Sequence, residues 1–132
     1  MNKIERFEDI VAWQKARVLT KEIYGSARIG SFAKDYGLKD QIQRASVSTM
    51  SNIAEGFERG GDREFVQFLS NSKGSCGEVK SHLYVALDQG YVTQVNFGQL
   101  YAQADEVSRL VGGFMNCLRQ SQLGGHKYKG RT

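Results

Sequence analysis

The sequence has 132 residues, which fits one domain with a single hydrophobic core. Hydrophobic residues make up 40% and charged residues 24%, so the composition is that of a soluble globular protein and excludes an intrinsically disordered chain. The net charge is +4, but the Gly-rich tail at 120–132 holds three basic residues and no acidic one, which leaves the rest of the chain nearly neutral.

The first predicted helix covers about residues 8–28, and its apolar residues fall on two sides. One side carries Trp13, Ala16, Leu19, Ile23, Tyr24 and Ala27, and the other carries Phe7, Ile10, Val11 and Val18. A single apolar face is enough to bury a helix in its own bundle. The second apolar side therefore indicates contact with another molecule.

The second predicted helix covers residues 38–59 and ends at a pair of glycines, which readily take the left-handed conformation found after helices. Its centre has few large apolar residues. A polar stripe runs along it instead, with the members Arg44, Ser48, Asn52, Glu55 and Arg59. Two interpretations stay open: a solvated face with a helical Glu55–Arg59 ion pair, or a buried or interfacial polar seam.

The third predicted helix covers residues 63–89, with Asp62 as its expected N-cap. Its apolar residues recur at alternating steps of four and three, as an antiparallel bundle requires. Gly74 and Gly77 each cost a helix about 1 kcal/mol relative to alanine. We therefore expect a compensating close approach to the second helix at its small residues, with Ser hydroxyls bonding across the contact.

The fourth predicted helix covers residues 94–119, and Thr93 is its expected N-cap. Short connections between long amphipathic helices make neighbouring helices antiparallel. The sequence therefore predicts an all-α fold, an up-down-up-down four-helix bundle at 1–119. The tail at 120–132 is expected to be disordered.

Candidate catalytic and metal sites are missing from the pattern. His82 and His126 are the two histidines, and neither has a Cys, Asp or His at ligand spacing. A serine nucleophile needs a base, and only His82 falls in a predicted helix. Cys76 and Cys117 are predicted to be reduced core residues. We expect no enzyme activity, no cofactor and no metal.

No signal-peptide pattern begins the sequence, and no apolar run approaches the roughly 20 residues that span a membrane. Together with the two reduced cysteines, this predicts a cytoplasmic protein.

Four blocks carry a family resemblance: FEDIVAWQKA, YGLKDQIQRASVS, SNIAEGFERG and REFVQFLSNSKGSCGEVKSHLYVALDQGYV. Over residues 7–115 the chain resembles the four-helix-bundle family of 23S ribosomal RNA intervening-sequence proteins. That family usually has proline just before SNIAEG, where this chain has Met50. The resemblance implies a bacterial cytoplasmic protein that assembles into a homopentamer, and it implies no catalytic residue. A similar protein is the accessory subunit of diversity-generating retroelements.

From the resemblance, the two-sided first helix and the basic tail, we expect a homo-oligomeric scaffold associated with RNA or a ribonucleoprotein. The candidate nucleic-acid contacts are Arg63, Lys73, Lys127, Lys129 and Arg131. The alternative is a protein–protein adaptor, for example an accessory subunit of a reverse transcriptase.

Overall fold

The computed structural model describes residues 3–123. Four helices form it: α1 (Val11–Ala27), α2 (Tyr36–Arg59), α3 (Asp62–Asp88) and α4 (Gln94–Leu123). Short 3-10 helices at Phe7–Asp9 and Gly30–Lys34 precede α1 and α2. No strand occurs among these residues, and the predicted all-α four-helix bundle is confirmed.

The helices pack in a closed cycle, because α1 and α3 each contact both α2 and α4. Short connections therefore place neighbours in the chain side by side. The core is mainly aliphatic with three buried phenylalanines, and its largest fully buried members are Phe32, Phe65, Leu19, Ile23, Ile42, Ile53, Leu69, Leu83 and Leu118. Each such side chain contributes about 1.5–3 kcal/mol by leaving water.

The helix ends follow capping chemistry. Thr93 Oγ1 accepts from the Asn96 backbone N–H at 3.0 Å, which confirms it as the cap of α4. Gly60 ends α2 in the left-handed region at φ 85°. The expectation for Asp62 is wrong by one residue: the extended Gly61 is the N-cap, and Asp62 is the first residue of α3.

Asp35 is a helix cap that the sequence analysis missed. Its Oδ1 accepts from the Leu38 backbone N–H at 3.1 Å at the start of α2. Its Oδ2 accepts from the Tyr91 hydroxyl at 2.9 Å, and this bond raises the pKa of Tyr91. Asp35 thereby ties the α1–α2 connection to the α3–α4 connection at one end of the bundle.

The two apolar sides of α1 have different environments. Ala16, Leu19 and Ile23 are buried in the core, whereas Val11 and Val18 are 52% and 49% exposed. The helix starts three residues later than predicted because Ile10 is extended (φ −78°, ψ 119°). Of the second side, Ile10 is buried and Phe7 packs against Trp13, so Val11 and Val18 form its uncovered part.

The cysteine prediction holds for one residue only. Cys76 is buried and its thiol donates to the Ala104 carbonyl at 3.0 Å. Cys117 is exposed, so placing it in the core was wrong. It lies on the outward side of α4, one position before the buried Leu118. Helix α4 extends to Leu123, four residues beyond its predicted end, and the rest of the predicted tail lies outside the described residues.

Candidate functional site

The contact between α2 and α3 is built from small polar residues, Ser48, Thr49, Asn52, Ser72 and Ser75, which we call the α2–α3 seam. Ser72 Oγ donates to the Thr49 carbonyl at 2.6 Å, and the hydroxyls of Ser48 and Ser75 share a hydrogen bond of 2.9 Å. Asn52 Nδ2 donates to the carbonyl and hydroxyl of Ser48 at 2.8 and 3.0 Å. The predicted hydroxyl bonds across these helices are present, and they satisfy the seam internally.

The two helices approach closely at Gly56. A Cβ at this position would lie 2.7 Å from Phe68 Cβ and 2.9 Å from Phe65 Cδ1. Because a Cβ would overlap with both phenylalanines, only glycine fits at position 56 without a shift of the facing side chains. The expectation that Gly74 and Gly77 serve this purpose is wrong, because both are exposed and nothing lies within 4 Å of a Cβ built on either.

The structure divides the five residues of the predicted polar stripe. Ser48 and Asn52 lie in the α2–α3 seam, while the other three lie on the surface in ion pairs. Arg44 binds Asp40 at 2.9 Å, and Arg59 binds Glu55 at 3.1 Å. About half of the Glu55 and Arg59 side chains is exposed, so Glu55 and Arg59 belong to the solvated face.

Helix α3 contacts α4 through aromatic rings and, in addition, through longer, charged side chains. Lys80 Nζ donates to Asp105 Oδ1 at 2.8 Å, and Arg109 Nε donates to Asp105 Oδ2 at 3.1 Å. The bond from Lys80 lowers the pKa of Asp105, and the same bond raises the pKa of Lys80. Two cations therefore share one carboxylate. Beneath them, burial raises the pKa of the Cys76 thiol, which keeps it protonated and unreactive.

A groove of about 620 Å³ opens between α3 and α4, and we call it the α3–α4 groove. Its lining is Lys73, Ser108, Arg109, Gly112, Gly113, Met115, Asn116 and Arg119, with no carboxylate. A Cβ at Gly112 would lie 3.4 Å from Lys73 Cε, so the lysine stem lies against the glycine. Lys73 and Arg119 form no ion pair with another described residue.

The groove and its neighbours carry a local positive charge. Lys73, Arg109 and Arg119 line the groove. Asp105 pairs with Arg109 and with Lys80, so these four cations and one carboxylate have a net charge of +3. At the α2–α3 turn, by contrast, Glu55 and Glu64 neutralise Arg59. Net positive charge is thus concentrated on the side of α3 that faces α4.

Of the five predicted nucleic-acid contacts, Lys73 lies in the α3–α4 groove. Arg63 lies exposed on the first turn of α3, ten residues or about 15 Å of helix away from Lys73. Lys127, Lys129 and Arg131 lie outside the described residues. Arg109 and Arg119 were missed, although their spacing puts them on one face of α4 with Gly112 and Asn116.

His82 offers no catalytic arrangement. It lies half-buried beside a shallow groove between α2 and α3, lined also by Gln41, Arg44, Ser48 and Glu78. It forms no hydrogen bond or ion pair with any residue in the described range 3–123. Over that range, no group of three or more His, Cys, Asp and Glu side chains is placed to hold a metal.

No helix between residues 3 and 123 combines the length and the apolar character needed to cross a bilayer.

The match to known proteins decides the family. Residues 8–113 match the family model described as the 23S rRNA-intervening sequence protein. The chain belongs to this family. A search of curated proteins finds no significant match.

A solved structure from Bacteroides thetaiotaomicron VPI-5482, described as a protein with unknown function from the S23 ribosomal protein family, resembles this intervening-sequence protein family member. It is 18% identical, with a TM-score of 0.75 over 80% of this chain and 96% of that chain. At this identity the likeness establishes the fold.

Proposed function

We propose that this protein is a non-enzymatic, homo-oligomeric helical bundle that serves as a scaffold for RNA or a ribonucleoprotein. The observation that carries the proposal is the α3–α4 groove, whose cations exceed its carboxylates. Lys73 and Arg119 have no acidic partner among residues 3–123, so their charge is available to phosphate. The family's association with ribosomal RNA genes in its name agrees with such a partner.

Self-association rests on the uncovered side of α1. Val11 and Val18 stand seven residues apart on one helix face and are both about half exposed. Beside Val11, an open groove of about 400 Å³ between α1 and α4 is lined mainly by apolar side chains, including Leu110 and Phe114. Apolar surface of this kind on a soluble domain is typical of a contact with another copy. The family resemblance suggests a pentamer.

Light scattering on the purified protein, with and without RNA, tests both parts. We expect a mass several times that of one chain, and RNA retention that weakens as salt rises. A monomer that shows no salt-sensitive retention would contradict the proposal. The double substitution Val11→Lys/Val18→Lys should reduce the assembled mass while the helical circular dichroism signal stays unchanged, because both side chains point away from the core.

An adaptor role is favoured by a different surface. The three most exposed large apolar residues, Tyr36 (75%), Val95 (68%) and Ile29 (67%), lie at the bundle end where Asp35 joins the two connections. A protein partner such as a reverse transcriptase would dock there. Tyr36→Ser should abolish co-purification with that partner and leave RNA retention unchanged; loss of RNA retention in this variant would argue against a separate adaptor surface.

A further inference from the structure

We propose that the α3–α4 groove binds the backbone of single-stranded RNA, through consecutive phosphates and without reading the bases. The inference rests on the proposed function and assigns it a site, a strand form and a mode of recognition. It follows from the length of the cation row, the width of the groove and the chemistry of its lining.

The row of groove residues on α4 has the length of a short strand segment. Arg109 and Arg119 are ten residues apart, which is about 15 Å along a helix. A strand that lies along this row would place consecutive phosphates near successive cations. Lys73 approaches from α3 at the level of Gly112, between the two arginines. Three cations thus follow one backbone rather than converging on one anion.

The width of the groove favours a single strand over a duplex. Packed helices lie about 8–10 Å apart, so the cleft between them is narrower than a nucleic-acid duplex. Glycines at 112 and 113 remove side-chain bulk from the α4 wall, and nothing lies within 4 Å of a Cβ placed at Gly113. A glycine pair inside a helix costs about 2 kcal/mol relative to alanines. Because α4 carries no side chains at these two positions, an RNA backbone can reach Lys73.

The lining chemistry indicates phosphate and sugar contacts without base recognition. No aromatic side chain lines the groove, so it lacks the stacking platform on which single-strand binders read bases. Asn116 lies between Arg109 and Arg119 along α4, and Ser108 is next to Arg109. They provide amide and hydroxyl groups for the phosphate oxygens and the 2′-hydroxyl. Binding should therefore be salt-sensitive and nearly independent of sequence.

The test measures affinity against salt by fluorescence anisotropy, with labelled 20-nucleotide U-rich and A-rich RNAs and the full-length protein. Lys73→Ala and Arg119→Ala should each reduce the steepness of log K against log salt by about 0.7, and the double variant by about 1.4. Lys21→Ala removes one exposed cation from α1 and is the matched control, with an unchanged slope. Thermal unfolding of each variant verifies the fold, since all three side chains are exposed.

The outcomes separate the two proposals. If the wild-type protein retains no RNA in a salt-sensitive way, the proposed function fails. If it binds RNA but Lys73→Ala and Arg119→Ala have the slope of the Lys21→Ala control, only the groove assignment fails. Tighter binding of a duplex than of either single strand, or a tenfold difference between the two single strands, would overturn the stated mode of recognition.

Discussion

Helix α3 makes two contacts of opposite character. Towards α2 it presents serines and rings that meet a hydroxyl, a backbone carbonyl and a glycine, and each residue of that seam makes a hydrogen bond inside the molecule. Towards α4 it presents, beside aromatic rings, Lys73 and Lys80, and only Lys80 has a carboxylate partner among residues 3–123. Satisfied polar groups hold a fold together, whereas unpaired cations remain available to a ligand.

This difference indicates the role of the SNIAEG segment, which is one of the blocks that carry the family resemblance. Asn52 binds back to Ser48, Ile53 is in the core, and Gly56 admits the rings of α3. Ser51 and Glu55 are exposed, and Glu55 pairs with Arg59. The segment therefore preserves a helix–helix contact, and the chemistry that reaches solvent lies on the opposite side of α3.

The largest expected effect is at Gly56. Gly56→Ala should lower the free energy of unfolding by about 1–3 kcal/mol, because its Cβ would overlap with Phe68 Cβ and the Phe65 ring. Helix propensity alone predicts that the free energy of unfolding rises by about 1 kcal/mol, so the sign of the measured change distinguishes steric overlap from propensity. Chemical denaturation measures it. An unchanged or higher stability would show that the two helices separate easily and that the contact is not close.

Gly74 provides the opposite case, at an exposed position of α3 away from the close contact. Gly74→Ala should raise the free energy of unfolding by about 0.5–1 kcal/mol, since the position is exposed and its Cβ would meet no atom of this chain. The same denaturation experiment applies. A loss of stability together with a smaller assembled mass would instead place Gly74 in a contact between copies.

The Lys80–Asp105 pair predicts a pH dependence. Asp105 has a pKa below its usual 3.8, so its contribution is present above pH 3.8 and is lost as the pH falls through the lowered pKa. Lys80 has a pKa above its usual 10.5, so its contribution is present below that pH and is lost as the pH rises further. Lys80→Met should therefore reduce the drop in melting temperature between about pH 5 and pH 2.

The control is Lys21→Met, which removes an exposed cation elsewhere. Its melting temperature should fall between about pH 5 and pH 2 as much as that of the wild type. If the melting temperature of Lys80→Met falls with pH as steeply as that of the wild type, Lys80 does not stabilise the ionised form of Asp105. Some acid sensitivity should persist, because Arg109 also binds Asp105.

The smallest effect belongs to Glu55. Its side chain is about half exposed and its pair with Arg59 lies on the surface, so Glu55→Ala should cost less than about 0.5 kcal/mol. Melting temperature and assembled mass are the measurements. A large loss in either would mean that a second copy or a partner covers this residue.

Periodicity predicted the bundle because the apolar residues of α3 and α4 recur at helical steps and Thr93 marks a cap. The close contact at Gly56 was not predictable, since it depends on which residues of α3 face α2. The groove was missed for the same reason: Lys73 and Arg119 become neighbours only through the register of α3 against α4. The N-cap of α3 was predicted wrongly because the capping side chain of Asp62 favoured that residue, whereas the extended backbone of Gly61 makes Gly61 the cap.

The most direct test of the contrast compares Asn52→Ala and Lys73→Ala, with both the free energy of unfolding and the affinity for single-stranded RNA measured on each. Asn52→Ala should lower stability by about 1 kcal/mol, since it removes a satisfied amide from the seam, and should leave RNA affinity unchanged. Lys73→Ala should leave stability unchanged and weaken RNA binding. The reverse pattern, or equal effects of both variants on both quantities, would contradict the division of α3 into a structural side and a binding side.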